Sequence, residues 1–119
     1  MHAVREFASE LVSFASTDGE EAEVSGWFRD ELEAFGFETY EWDVDAELLA
    51  THSSFPDDPG EIDSDDRPSV GGVLAFGDPE AGPTVVLNGH LDVVPADESA
   101  WSMPPFEPHW DGDELAGRG

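Results

Sequence analysis

The chain has no cysteine and no lysine, a single tyrosine, and only four arginines in 119 residues. Without cysteine, neither a disulfide framework nor a thiolate metal site can form. The four cations, Arg5, Arg29, Arg67 and Arg118, stand against 29 acidic residues, for a formal net charge of −25. So few positive groups cannot neutralise a run of phosphates, which disfavours direct nucleic-acid binding. No apolar run approaches the roughly 18 residues of a membrane span, and the opening Met1–Glu6 turns acidic at once with no apolar signal core. The expectation is a cytoplasmic protein with neither nucleic acid nor membrane as partner. What is present is a 39% hydrophobic complement with four Trp and eight Phe, enough to bury a core rather than stay disordered. The length suits one domain spanning 1–119, not two. Dense carboxylate opposes compaction in dilute buffer, whereas at molar salt the screening length falls to about 3 Å. The composition therefore reads as adaptation to a high-salt, halophilic cytoplasm. The acids are spread along the chain without a block of five or six, so a nucleic-acid mimic is not favoured.

Val4, Phe7, Ala8, Leu11, Val12 and Ala15 recur at helical spacing and predict an amphipathic helix over about 3–15. Thr17 followed three residues later by Glu20 fits a capping box for a second helix. That helix carries Val24, Trp27, Phe28, Leu32 and Phe35 on one face and stops at Gly36. The alternating, aromatic-rich 37–44 predicts a strand. Residues 45–69 read as a solvated loop or insertion, since 53–69 alone holds three Pro and five Asp. Two further strands are predicted at 70–76 and 84–88, separated by a turn at 77–83. Thr84-Val85-Val86-Leu87 has the apolar character of a strand buried on both faces. These elements suggest an α/β fold: part of a three-layer domain, with N-terminal helices packed on a mixed, mostly parallel sheet.

The chemistry-bearing stretch follows that strand: Asn88-Gly89-His90-Leu91-Asp92-Val93-Val94-Pro95. Residues i and i+2 of an extended chain point the same way, so His90 and Asp92 share a face. A neutral imidazole binds zinc through one nitrogen while the other donates to a carboxylate that fixes the tautomer, and His-x-Asp can supply both members. An isolated His-x-Asp is more often a surface pair than a ligand pair. Here it is followed in order by Trp101, Pro104-Pro105-Phe106, Pro108, Asp111-Gly112, Leu115 and Gly117-Arg118-Gly119. This order and spacing resemble the dinuclear-zinc amidohydrolase and peptidase family that includes acetylornithine deacetylase, succinyl-diaminopimelate desuccinylase, aminoacylase and glutamate carboxypeptidase. The upstream Ser16–Glu21 segment and the helix ending at Gly36-Phe37 are similar to that family's opening.

The resemblance implies that His90 is a zinc ligand and Asp92 the catalytic-site carboxylate supporting it. It implies a two-zinc cofactor, with cobalt as a substitute, and N-acyl amino acids or small peptides as substrates. The prolines shape a loop, Trp101 and Phe106 read as core before substrate contacts, and Asp111-Gly112 reads as a tight turn between two short extended pieces. Arg118 is expected to pair with a carboxylate, either buried or on the surface. Ala116 departs from the aromatic that the family often places before Gly-Arg-Gly. His52 and His109 match no ligand position. Relatives continue past Gly-Arg-Gly to a bridging Asp, a Glu-Glu pair, a further acidic ligand and a distant His. The expectation is therefore a truncated hydrolase, inactive in isolation, that self-associates or pairs with a missing C-terminal part. The alternative is a non-catalytic folded module that pairs with a separately encoded remainder.

Overall fold

In the computed structural model the described residues are 2–119. Helix α1 (His2–Ser13) and helix α2 (Ala22–Ala34) lie near their predicted places. They meet through aromatic rings, with Phe7 4.9 Å from Trp27 and Phe14 5.3 Å from Trp27 between centroids. Phe28 and Phe35 complete the cluster around Phe7. Val24 on the same face of α2 is 1% exposed, a burial worth roughly 1.5–3 kcal/mol. Gly36 ends α2 as expected. Its φ of 89° lets Gly36 N–H reach Glu33 O and Phe37 N–H reach Leu32 O, the paired closure that a left-handed residue permits.

The start of α2 differs from the predicted capping box. Asp18 and Gly19 both take positive φ, so Glu20 N–H bonds the backbone carbonyl of Thr17, and the helix begins two residues later. Its N-cap is Glu21, whose side chain makes no capping bond and turns instead to Arg67.

Strands β1 (Glu38–Trp42) and β2 (Ser69–Val73) pair antiparallel, with Glu38 opposite Val73 and Trp42 opposite Ser69. Helix α2 lies on this ribbon so closely that a Cβ on Gly72 would stand 3.0 Å from Phe37 and 3.2 Å from Leu32. The intervening 45–69 segment is not wholly irregular. It contains the short helix α3 (Ala46–Leu49), capped by Asp45 accepting from Leu48 N–H at 2.9 Å, and a 3₁₀ turn at Pro59–Glu61. A second ribbon joins β3 (His109–Asp111) to β4 (Glu114–Ala116). Its two-residue turn carries Gly112 at φ 61°, the position where primed hairpin turns take glycine.

The mixed helix-and-sheet expectation holds, but the mostly parallel sheet does not. Among the described residues both pairings are antiparallel, and each sheet has two strands. The predicted strand at 84–88 takes no regular secondary structure and joins no ladder among the described residues. Val85, Val86 and Leu87 are 78%, 81% and 92% exposed. A parallel strand needs neighbours at its edges and cover on both faces, and among the described residues it has neither. The accessible surface, 8916 Å², exceeds the roughly 6,300 Å² of a compact chain of this mass. The radius of gyration, 17.3 Å, exceeds the roughly 13.5 Å expected. The molecule is an open slab of 45 × 42 × 21 Å. Among the described residues no helix is long and apolar enough to cross a membrane.

Candidate functional site

The second ribbon is fastened to α1 along one helical face. Arg5, Ser9 and Val12 are spaced four and three residues apart and so lie in a row. Arg5 bonds Gly112 O at 2.5 Å and Asp113 at 3.2 Å, and its guanidinium sits 4.0 Å over the Trp110 ring. Trp110 Nε1–H donates to Ser9 Oγ at 2.8 Å. Gly117 packs on Val12 with no room for a side chain between them. The Gly-Arg-Gly run is therefore held against the first helix.

Arg118 returns the chain toward the His90 loop. Its N–H donates to Pro105 O at 2.7 Å and its Nε to Val94 O at 3.1 Å. The expected carboxylate partner is replaced by backbone carbonyls, which the loop around buried Pro105 presents there. Phe106 is half-buried and Trp101 is 36% exposed.

The linker between α1 and α2 grips the same loop from the other side. Ser16, 3% exposed, donates its hydroxyl to Leu91 O at 2.6 Å, and its own carbonyl accepts Val93 N–H at 3.0 Å. Asp92 lies between these two anchored residues. His90 Nδ1 is 2.8 Å from Asp92 O and 3.3 Å from Asp92 Oδ1. Both neighbours are acceptors, so the contact is a hydrogen bond in the tautomer with the proton on Nδ1, in which Nε2 of the neutral ring keeps a lone pair. The pair is open to solvent, with side chains 83% and 55% exposed.

Beside it stands an acidic cluster around one cation. Arg67 Nη2 bonds Glu21 Oε1 at 2.5 Å and Nη1 reaches the Asp63 carboxylate at 4.0 Å. Its hydrogen bond to Glu21 raises its pKa above the ordinary guanidinium value, with charge attraction from Glu21, Asp63 and Asp92 adding to it. Glu21 is 8% exposed, and its Oε2 has no hydrogen-bond partner among the described residues. The sequence reading missed Arg67 altogether, because nothing in its local pattern distinguishes it. Ser16 belonged to a recognised segment, but its contact with Leu91 spans 75 positions and left no local signal.

A catalytic zinc requires about three protein ligands and an open position. Among the described residues no group of three or more His, Cys, Asp or Glu is arranged to hold a metal ion. His90 and Asp92 are brought together, but they do not make a metal site on their own. His52 lies apart, in contact with Phe55 and Ser54 N–H, and His109 is exposed at the start of β3.

No protein-family model matches the chain, and no solved structure matches it. Seven curated proteins do. One is an acetylornithine deacetylase from Dictyostelium discoideum, 54% identical over 33 residues. That stretch is 28% of this chain and 7% of the relative, so the likeness is local and ties a short segment to a deacetylase.

Proposed function

We propose that this chain contributes one part of the site of a metal-dependent amide hydrolase and does not hydrolyse amides by itself. His90 is the metal ligand, offering Nε2, and Asp92 is the carboxylate that orients it. The observation that carries this reading is the disposition of the pair: Nδ1 is turned onto Asp92, which leaves the outer nitrogen free. The local likeness to a deacetylase supports the reaction class. With two candidate donors, the described residues fall short of the three protein ligands of a catalytic zinc, and no hydrolytic step is assigned to the chain alone. The substrate class is N-acyl amino acids or small peptides, and the ion in the completed site is zinc. The high-salt cytoplasm remains the setting that best accounts for the charge.

The exposed apolar run immediately before His90 favours a second component of the reading, association with another polypeptide that covers it. Without catalysis, the same surface would make the chain a pairing module. A chimera separates the two. Residues 88–119 of this chain replace their counterparts in the Dictyostelium enzyme, and release of acetate from acetylornithine is measured. Retained deacetylation that is lost on His90→Ala supports the hydrolase reading. A folded chimera without activity refutes it and leaves the pairing module.

A further inference from the structure

We propose that Ser16, in the linker between the first two helices, is the positioning residue that sets the tautomer of His90. The inference rests on the reading of His90 as a ligand through Nε2. One peptide unit carries the argument. The amide formed by Asp92 C=O and Val93 N–H has two partners on opposite sides: Ser16 O takes the N–H at 3.0 Å, and His90 Nδ1 lies 2.8 Å from the C=O. In a trans peptide these groups point in opposite directions, so holding the N–H fixes where the C=O aims. Donation from the N–H also polarises the unit and makes its oxygen a better acceptor for the imidazole proton.

The preceding unit is held as well, because the Ser16 hydroxyl donates to Leu91 O at 2.6 Å. Ser16 thus grips the chain on both sides of Asp92 from a position that is 3% exposed, where water does not compete. The pair it serves is solvent-exposed, and water would otherwise exchange freely with both the carbonyl and the ring. A free imidazole prefers its proton on Nε2, the nitrogen that a metal would need. Holding the Asp92 carbonyl against Nδ1 reverses that preference.

The test reads side-chain nitrogen shifts of His90 by long-range proton–nitrogen correlation, in the metal-free full chain at molar salt. The pH is about 9, above the usual imidazole range. The expected result is a predominantly Nδ1-protonated ring in the parent. Ser16→Ala keeps the carbonyl that holds Val93 N–H and removes the hydroxyl bond to Leu91 O, so it loosens the grip on one side of Asp92. It should lower the ratio of Nδ1–H to Nε2–H by about two- to tenfold, up to the net worth of the one hydrogen bond lost. Ser16→Thr, which keeps the hydroxyl, should retain it, and His52 and His109 should not change in either variant. A general loss of structure would move all three histidines.

The proposal is overturned if the parent ring is protonated on Nε2, or if folded Ser16→Ala keeps the parent ratio. Should Ser16→Ala not fold, the parent still decides. A through-hydrogen-bond coupling between Val93 N and the Ser16 carbonyl is expected, and its absence overturns the proposal. No metal is present in these spectra. A failed tautomer prediction therefore leaves the hydrolase reading standing, and an inactive chimera leaves the tautomer result standing.

Discussion

Replacing Gly117 by alanine isolates the contact that joins the Gly-Arg-Gly run to the first helix. The backbone of Gly117 does not occupy the left-handed region, so the substitution carries no conformational penalty and its cost is steric. The new methyl would fall onto Val12 Cγ1, inside the separation that real side chains keep. Val12 cannot swing away, because a β-branched residue in a helix has one strongly preferred rotamer. It is also 7% exposed and enclosed. Nor can the C-terminal run retreat easily, since the next residue bonds Pro105 O at 2.7 Å. Overpacking of this kind costs about 1–3 kcal/mol. Val12→Ala alone costs about 2 kcal/mol, from two buried methyl groups and the space they leave. In the double variant the added methyl enters the vacated space, so the two costs do not add. A favourable coupling of at least about 1 kcal/mol is expected. Urea unfolding of the four proteins, followed by tryptophan fluorescence in molar salt, measures it. A neutral Gly117→Ala, or strictly additive costs, would refute the proposed packing of Gly117 on the helix.

Three other outcomes follow from the charges. Arg67→Gln should destabilise the chain by about 2–3 kcal/mol, because it strands the buried Glu21 carboxylate, and thermal melts should show that added salt does not restore it. The parent chain, in contrast, should melt higher as chloride rises from about 0.1 to 1 M and the Debye length falls from about 10 to 3 Å. An unchanged melting temperature would show that self-repulsion of the −25 charge is not limiting. Asp97 accepts from both the hydroxyl and the backbone N–H of Ser99, which hold its carboxyl below the ordinary aspartate range. Asp97 thereby caps the 3₁₀ turn Glu98–Ala100, and that cap is fully present above the unfolded aspartate pKa and is lost as pH falls through the lower folded value. Carbon shifts of the Asp97 carboxyl should follow that order, and a midpoint at or above the ordinary value would refute it.

The elements that the sequence disclosed are those whose signal is local. The two helices follow from side chains three and four residues apart, Gly36 from the need for positive φ, and the β3–β4 turn from Asp111-Gly112, although it closes one residue later, on Gly112-Asp113, with Asp111 ending β3. The capping box failed because Asp18-Gly19 can close a tighter turn with backbone groups alone, which competes directly with Thr17 for Glu20. The 84–88 strand failed for a different reason. Apolar character reports that a segment is meant to be covered, and only tertiary structure supplies the cover. Its residues are suited to a strand yet stay exposed and pair with no strand among the described residues. His90 and Asp92 were legible as a pair because they are two positions apart. The residues that hold them are legible only in space: Ser16 lies 75 positions from Leu91, and Arg67 lies 46 from Glu21.

That difference in cover explains how the candidate site is built. From Leu91 onward the loop is secured on its inner side by Ser16, by Arg118 on Val94 O, and through Pro105 to the C-terminal run on α1. Before His90, the chain from Val85 to Leu87 has no such support, and its side chains face solvent. The boundary between anchored and uncovered chain falls at His90 itself. If His90 is the ligand proposed above, that position would give it a defined backbone and leave its outer nitrogen open to groups arriving from the uncovered side. Apolar burial of Val85, Val86 and Leu87 would contribute roughly 1.5–3 kcal/mol for each side chain covered. The same contact that stabilises the apolar run would then bring foreign donors to the free face of the imidazole. On the proposed function, covering the apolar run and completing the site would be one event.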